Sequence, residues 1–127
     1  MKVIDSSVLV ALFFSEDAFH EGAKKLMNQH ALETVLLSDV ITFETLTVLN
    51  YYMGIEKTQK AYEELLNNKY IVHTTFSEDE KREILAIFFS QIGKKLSVQD
   101  CSVAYLARKH HIGALSFDRG INAAIVR

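Results

Sequence analysis

Four short apolar runs recur along the chain, each too brief to be a helix. They are Lys2-Val3-Ile4-Asp5, Thr34-Val35-Leu36-Leu37-Ser38, Tyr70-Ile71-Val72-His73-Thr74 and Ala114-Leu115-Ser116-Phe117. Runs of this length bounded by polar residues read as buried strands. The stretches between them place apolar residues at helical spacing, as with Val8, Leu9, Leu12 and Phe13. Short strands alternating with amphipathic helices predict a parallel sheet covered on both faces, because helical crossovers must return the chain to the same edge. The expected fold class is α/β, a three-layer α/β/α sandwich around a central parallel sheet of four to five strands.

Helix boundaries follow from local chemistry. Ser6 opens a first helix and a second is expected from about Ala18 to Gln29. Asp39 reads as the N-cap of a long helix reaching Met53, which Gly54 stops. Glu56 to Asn67 is a further amphipathic helix. Ser77-Glu78-Asp79-Glu80 and Ser97-Val98-Gln99-Asp100 both have capping-box form. The first predicts a helix to Ile92 closed by Gly93, the second a helix ending near His110-His111-Ile112-Gly113.

Length and composition then narrow the class. At 127 residues with 49% apolar and 24% charged side chains, one domain spanning 1–127 is expected. The longest apolar run, Val8 to Phe14, falls far below the ~20 residues of a membrane span. Asp5 interrupts the N-terminus before a signal-peptide core develops. The single cysteine, Cys101, has no internal disulfide partner, so a cytoplasmic location with no membrane association is expected. The net charge of −2 is neutral evidence about nucleic acid. If four of the 16 acids sit in a cation-filled pocket, the 14 Lys and Arg outnumber the remainder.

Four acids stand out by position. Asp5 and Asp118 follow the first and fourth strands, where open parallel sheets place their ligand sites. Glu44 has Val40 and Val48 at i±4, and Asp100 has Val103, Ala104 and Ala107 at i+3, i+4 and i+7. Both therefore lie on apolar helical stripes, where a lone carboxylate is costly unless paired, hydrogen-bonded or bound to a cation. Ordinary roles compete at three of them, a cap at Asp5 and Asp100 and a turn at Asp118, whereas mid-helix Glu44 has nothing to cap. Converging carboxylates repel by about 4 kcal/mol per pair at ~4 Å and an effective dielectric of ~20, so protonation or a hard dication must relieve them. Oxygen donors suit Mg²⁺ or Mn²⁺, and the five histidines and one cysteine lack zinc spacing. Tyr51, Tyr52 and Tyr105 read as core residues rather than stacking platforms. Lys24/Lys25, Lys94/Lys95 and Arg108/Lys109 read as solvated faces.

Val3-Ile4-Asp5-Ser6-Ser7, Thr42-Phe43-Glu44, Leu96-Ser97-Val98-Gln99-Asp100 and Leu115-Ser116-Phe117-Asp118-Arg119 together resemble the ordered signature stretches of PIN-domain ribonucleases. The likeness is nearest to the VapC-type toxins of toxin–antitoxin pairs. That resemblance implies an endoribonuclease dependent on Mg²⁺, with Mn²⁺ substituting, commonly a homodimer held inactive by a small antitoxin protein. Asp5, Glu44, Asp100 and Asp118 would be its catalytic and metal-holding quartet. Ser7, Ser97 and Ser116 would support those acids, and Arg119 would lie nearest the scissile phosphate. The C-terminus departs from the family pattern, since Asp118-Arg119-Gly120-Ile121 runs on to Ile125-Val126-Arg127 and leaves a fifth strand open. The alternative is a PIN-like scaffold that binds RNA or protein without cutting. An aspartate-nucleophile phosphatase would need a second Asp where Ser7 stands. A receiver domain would need an Asp where Thr74-Thr75-Phe76 stands.

Overall fold

The computed structural model describes residues 1–93 and 95–125. Four parallel strands, β1 (Lys2–Ile4), β2 (Val35–Ser38), β3 (Ile71–Thr74) and β4 (Ala114–Leu115), form one sheet in the order β3-β2-β1-β4. Seven helices flank it among the described residues. They are α1 (Ser6–Phe13), α2 (His20–Gln29), α3 (Asp39–Met53), α4 (Ile55–Asn67), α5 (Glu78–Phe89), α6 (Val98–His110) and α7 (Arg119–Ile125). The expected three-layer α/β/α architecture is therefore present with four strands. No helix among the described residues is long and apolar enough to cross a membrane.

β1 lies between β2 and β4, so its carboxyl end is central to the sheet edge. α6 packs on β1 and β4 and also touches α3, while α1 packs between α2 and α3. Ile4, Leu9, Leu37, Ile41, Leu49 and Ile121 are among the fully buried side chains. Each such burial stabilises the fold by about 1.5–3 kcal/mol relative to exposure. These apolar contacts fix the frame on which the strand-end acids are carried.

Several boundaries differ from expectation, each for a local reason. α2 starts at His20, two residues later than expected. Ser38, not Asp39, caps α3, because the Ser38 hydroxyl accepts the Ile41 N–H at 3.2 Å while Asp39 bonds only its neighbour Val40. Asp39 still favours the positive helix start. α5 stops at Phe89 rather than Ile92. The Gln91 amide donates to the Phe88 and Leu96 carbonyls and ties the chain into a loop. β4 ends at Leu115, because Ser116 and Phe117 turn their bonding groups toward Asp118 and Ser7.

The segment after Asp118 is a helix among the described residues, not a fifth strand. Val126 and Arg127 lie outside them, as does Lys94 of the Lys94/Lys95 pair. Arg108 is not a solvated cation: its Nε and Nη2 donate to the Ala124 carbonyl at 2.9 and 2.5 Å and clamp the end of α7. Lys109 pairs with Glu80 at 2.8 Å. Tyr105 packs edge-on against Phe76, as expected, whereas Tyr51 and Tyr52 project outward.

Candidate functional site

Asp5 leaves β1 at the centre of the sheet and is 3% exposed. Its backbone N–H bonds the Leu115 carbonyl at 3.0 Å, which holds it in register with β4. Asp5 Oδ2 accepts the Ser7 hydroxyl at 2.7 Å and the Ser116 hydroxyl at 3.0 Å. Those two oxygens accept in turn, Ser7 from the Phe117 N–H at 3.2 Å and Ser116 from the Asp118 N–H at 2.9 Å. With backbone donors aimed at each serine oxygen, both hydroxyl protons are directed to Asp5. The network thereby fixes the orientation of the Asp5 carboxylate through one oxygen.

The other three acids are held by similar economies. Glu44 on α3 accepts the Ser6 hydroxyl at Oε1, 3.0 Å away. Asp100 closes a capping box, with Oδ2 accepting the Ser97 N–H at 3.0 Å. Asp118 turns Oδ1 toward the Gly120 and Ile121 N–H groups at 2.7 and 3.3 Å, at the start of α7. A Cβ on Gly120 would lie 3.0 Å from that same oxygen, so the close approach uses the bare glycine.

One pattern unites the four. Each carboxylate has one oxygen bonded by protein groups, while Asp5 Oδ1, Glu44 Oε2, Asp100 Oδ1 and Asp118 Oδ2 receive no hydrogen bond among the described residues. Glu44 Oε2 is fully buried and orphaned. A buried polar atom left in this way costs on the order of 1–3 kcal/mol. A cap occupies only one oxygen, so the capping bonds of Asp5, Asp100 and Asp118 leave the second oxygen of each without a protein donor among the described residues.

Electrostatics shows that the four share a region. Burial raises the Glu44 pKa above its usual range against the opposing Ser6 bond, and the charges of Asp5 and Asp100 raise it further. Burial likewise raises Asp100 against its Ser97 bonds, with Asp5 and Asp118 adding repulsion. No Lys or Arg forms an ion pair with any of the four among the described residues. Nor, among the described residues, are three or more His, Cys, Asp or Glu side chains drawn close enough to hold a metal ion in this arrangement. The donor set, oxygen-only with an orphaned buried atom among its members, fits a hard dication.

Of the supporting residues expected from sequence, Ser7 and Ser116 bond Asp5 directly. Ser97 acts through Asp100, and Arg119 is exposed at the first position of α7. Ser6, which steadies Glu44 from α1, was not foreseen, because its partner lies 38 residues away. Beside Ser7 and Asp118 opens a groove also lined by Phe19, Tyr52 and Phe117. Sequence spacing gave no sign of it.

The family model described as PIN domain matches residues 2–125. Among solved structures, the Mycobacterium tuberculosis VapC20 toxin, described as cleaving the sarcin–ricin loop, superposes with a TM-score of 0.89. The match has 24% identity and covers 98% of this chain and 95% of that one, a likeness of fold. No curated protein sequence matches significantly.

Proposed function

The chain belongs to the PIN-domain family, and from that premise we propose that it is a divalent-cation-dependent endoribonuclease, the toxin of a toxin–antitoxin pair. The observation that carries this reading is the shared state of Asp5, Glu44, Asp100 and Asp118. Each has one oxygen tied down and the other left without a protein donor. The likeness in fold to a toxin that cleaves an RNA loop supports the same reading.

Asp5, Glu44, Asp100 and Asp118 would hold Mg²⁺, with Mn²⁺ able to replace it. When bound, such an ion supplies positive charge for a phosphodiester and Lewis acidity toward water. The chain's own residues prepare the place. Ser7 and Ser116 direct their hydroxyl protons to Asp5 and orient its carboxylate. The Ser6 hydroxyl holds one oxygen of Glu44, and the Ser97 backbone N–H holds one oxygen of Asp100. Neither Ser7 nor Ser116 hydrogen-bonds a histidine, so no activated protein nucleophile is formed from them. Water is then the nucleophile, and products with a 5′-phosphate and a 3′-hydroxyl are expected.

A small antitoxin, a homodimeric state and a cytoplasmic setting accompany this reading as features of VapC-type proteins. The rival reading, a non-cleaving scaffold, draws on the absence of a preformed three-ligand cluster among the described residues. One experiment separates them: incubation with structured and unstructured RNAs, with and without Mn²⁺, followed by end-group analysis. Cation-dependent cleavage that disappears in Asp5→Asn and Asp100→Asn supports the nuclease. Cleavage unchanged in either variant refutes the assignment.

A further inference from the structure

The groove beside the acids has a volume of about 410 Å³, within the ordinary range for ligand sites. Two stacked aromatic pairs form its banks. Phe19 lies on Phe117 with ring centroids 5.0 Å apart and planes 22° apart, and Tyr52 lies on Phe14 at 5.0 Å and 18°. Phe19 is nevertheless 58% exposed and Tyr52 53%. Each ring is thus braced from one side by a stacking partner while much of its surface faces solvent. Tyr51 meets Tyr52 edge-on and is 84% exposed.

We propose that this groove is a nucleobase subsite, in which unpaired bases flanking the cleaved phosphate of an RNA strand stack on Phe19 and Tyr52. The inference rests on the ribonuclease reading and adds where the substrate is gripped. Three observations favour bases as the occupant. Ser7, which bonds Asp5, and the acid Asp118 both line the groove, so a strand presented to the acids continues into it. Among the described residues the lining includes Asp17 and Asp118 but no Lys or Arg, so these walls offer no cationic grip on the phosphate backbone. Stacking on aromatic faces supplies affinity without such charges and accepts any base. A helix from a protein partner would be served equally by aliphatic walls, whereas near-parallel braced rings suit flat guests.

The test uses short single-stranded RNAs, each carrying one 2-aminopurine, whose fluorescence is quenched on stacking. They are mixed with the Asp100→Asn protein in Mn²⁺, in which cleavage is expected to stop. Quenching is expected at positions next to the scissile phosphate. Adding Phe19→Leu or Tyr52→Leu should remove it and weaken binding by about fivefold or more. Phe19→Trp should retain the quenching, and Phe89→Leu, an exposed aromatic outside the groove, should change nothing. In the otherwise unaltered enzyme, Phe19→Leu and Tyr52→Leu should raise KM more than they lower kcat. Thermal melts confirm that the leucine variants are folded. Cleavage by the unaltered protein, with quenching and KM indifferent to Phe19 and Tyr52, overturns the subsite and leaves the groove to a protein partner. A protein that neither binds nor cuts any RNA overturns the ribonuclease reading itself.

Discussion

Asp5 and Ser116 are 111 residues apart in sequence, yet the Ser116 hydroxyl donates to Asp5 Oδ2 at 3.0 Å. Ser7 makes the matching bond from the other side at 2.7 Å. Replacing either serine with alanine removes a donor that orients the carboxylate while leaving the strand pairing intact. Ser7→Ala and Ser116→Ala are each expected to lower RNA cleavage about 10–100-fold, the usual cost of losing such a partner. The stability loss should be about 1 kcal/mol. Cleavage kinetics and urea melts on the same samples check both, and unchanged kinetics would show that Asp5 needs no steering.

Glu44 and Asp100 have pKa values raised first by burial. The folded state therefore holds their protons more tightly than the unfolded chain does. Their contribution to stability is full below ordinary carboxylate values and is lost as pH rises through the raised ones. Without divalent cation, the unaltered protein should lose melting temperature relative to Glu44→Gln as pH rises above 4.5. Because a cation binds the ionised form, Mn²⁺ should raise the melting temperature more at about pH 7.5 than at about pH 5. Glu44→Gln should blunt that rise. A Mn²⁺ shift independent of both pH and Glu44 would contradict the assignment.

Glu80 provides a contrast away from the site. The Lys109 ammonium and the Ser77 backbone N–H hold its pKa down at about 2, from an ordinary 4.5. Its stabilisation is thus present above pH 4.5 and lost as pH falls toward 2. Glu80→Gln keeps the capping box, which accepts Glu or Gln, and removes only the charge. With Lys109 half exposed, the expected cost is about 1 kcal/mol near neutral pH, vanishing on acidification. Urea titrations at several pH values read this directly.

Arg108 joins α6 to the Ala124 carbonyl of α7, the helix whose first turn is capped by Asp118. Arg108→Met should leave the sheet folded and speed amide exchange selectively in α7. It should also weaken the Mn²⁺ melting shift through Asp118. Uniform exchange across the chain would mean that α7 is secured elsewhere.

Much of this molecule could be read from local sequence. Period and punctuation located all four strands, and Gly54 and the two serine-led capping boxes marked helix ends correctly. Glu44 and Asp100 were picked out because a carboxylate on an apolar stripe demands an explanation, and the structure places both half-buried within charge range of Asp5. Asp118 was found by its strand end, though not the helix it begins. Contacts made across long sequence separations were illegible. Ser6 reaching Glu44, Arg108 reaching Ala124, and Phe19 meeting Phe117 depend on how elements dock, which spacing within one element does not encode. Tyr51 and Tyr52 misled for the same reason. Helical periodicity assigns a face, but only neighbours decide whether that face is covered.

The parallel register that sets β4 against β1 gives the acid cluster a biosynthetic order. A growing chain that stops short of Ala114 already carries Asp5, Glu44 and Asp100, but has neither the Ser116 hydroxyl that steadies the first of them nor Asp118. Translation must pass Asp118 before those parts can meet. On the proposed nuclease reading, a nascent chain shorter than this would lack part of the set that holds the cation.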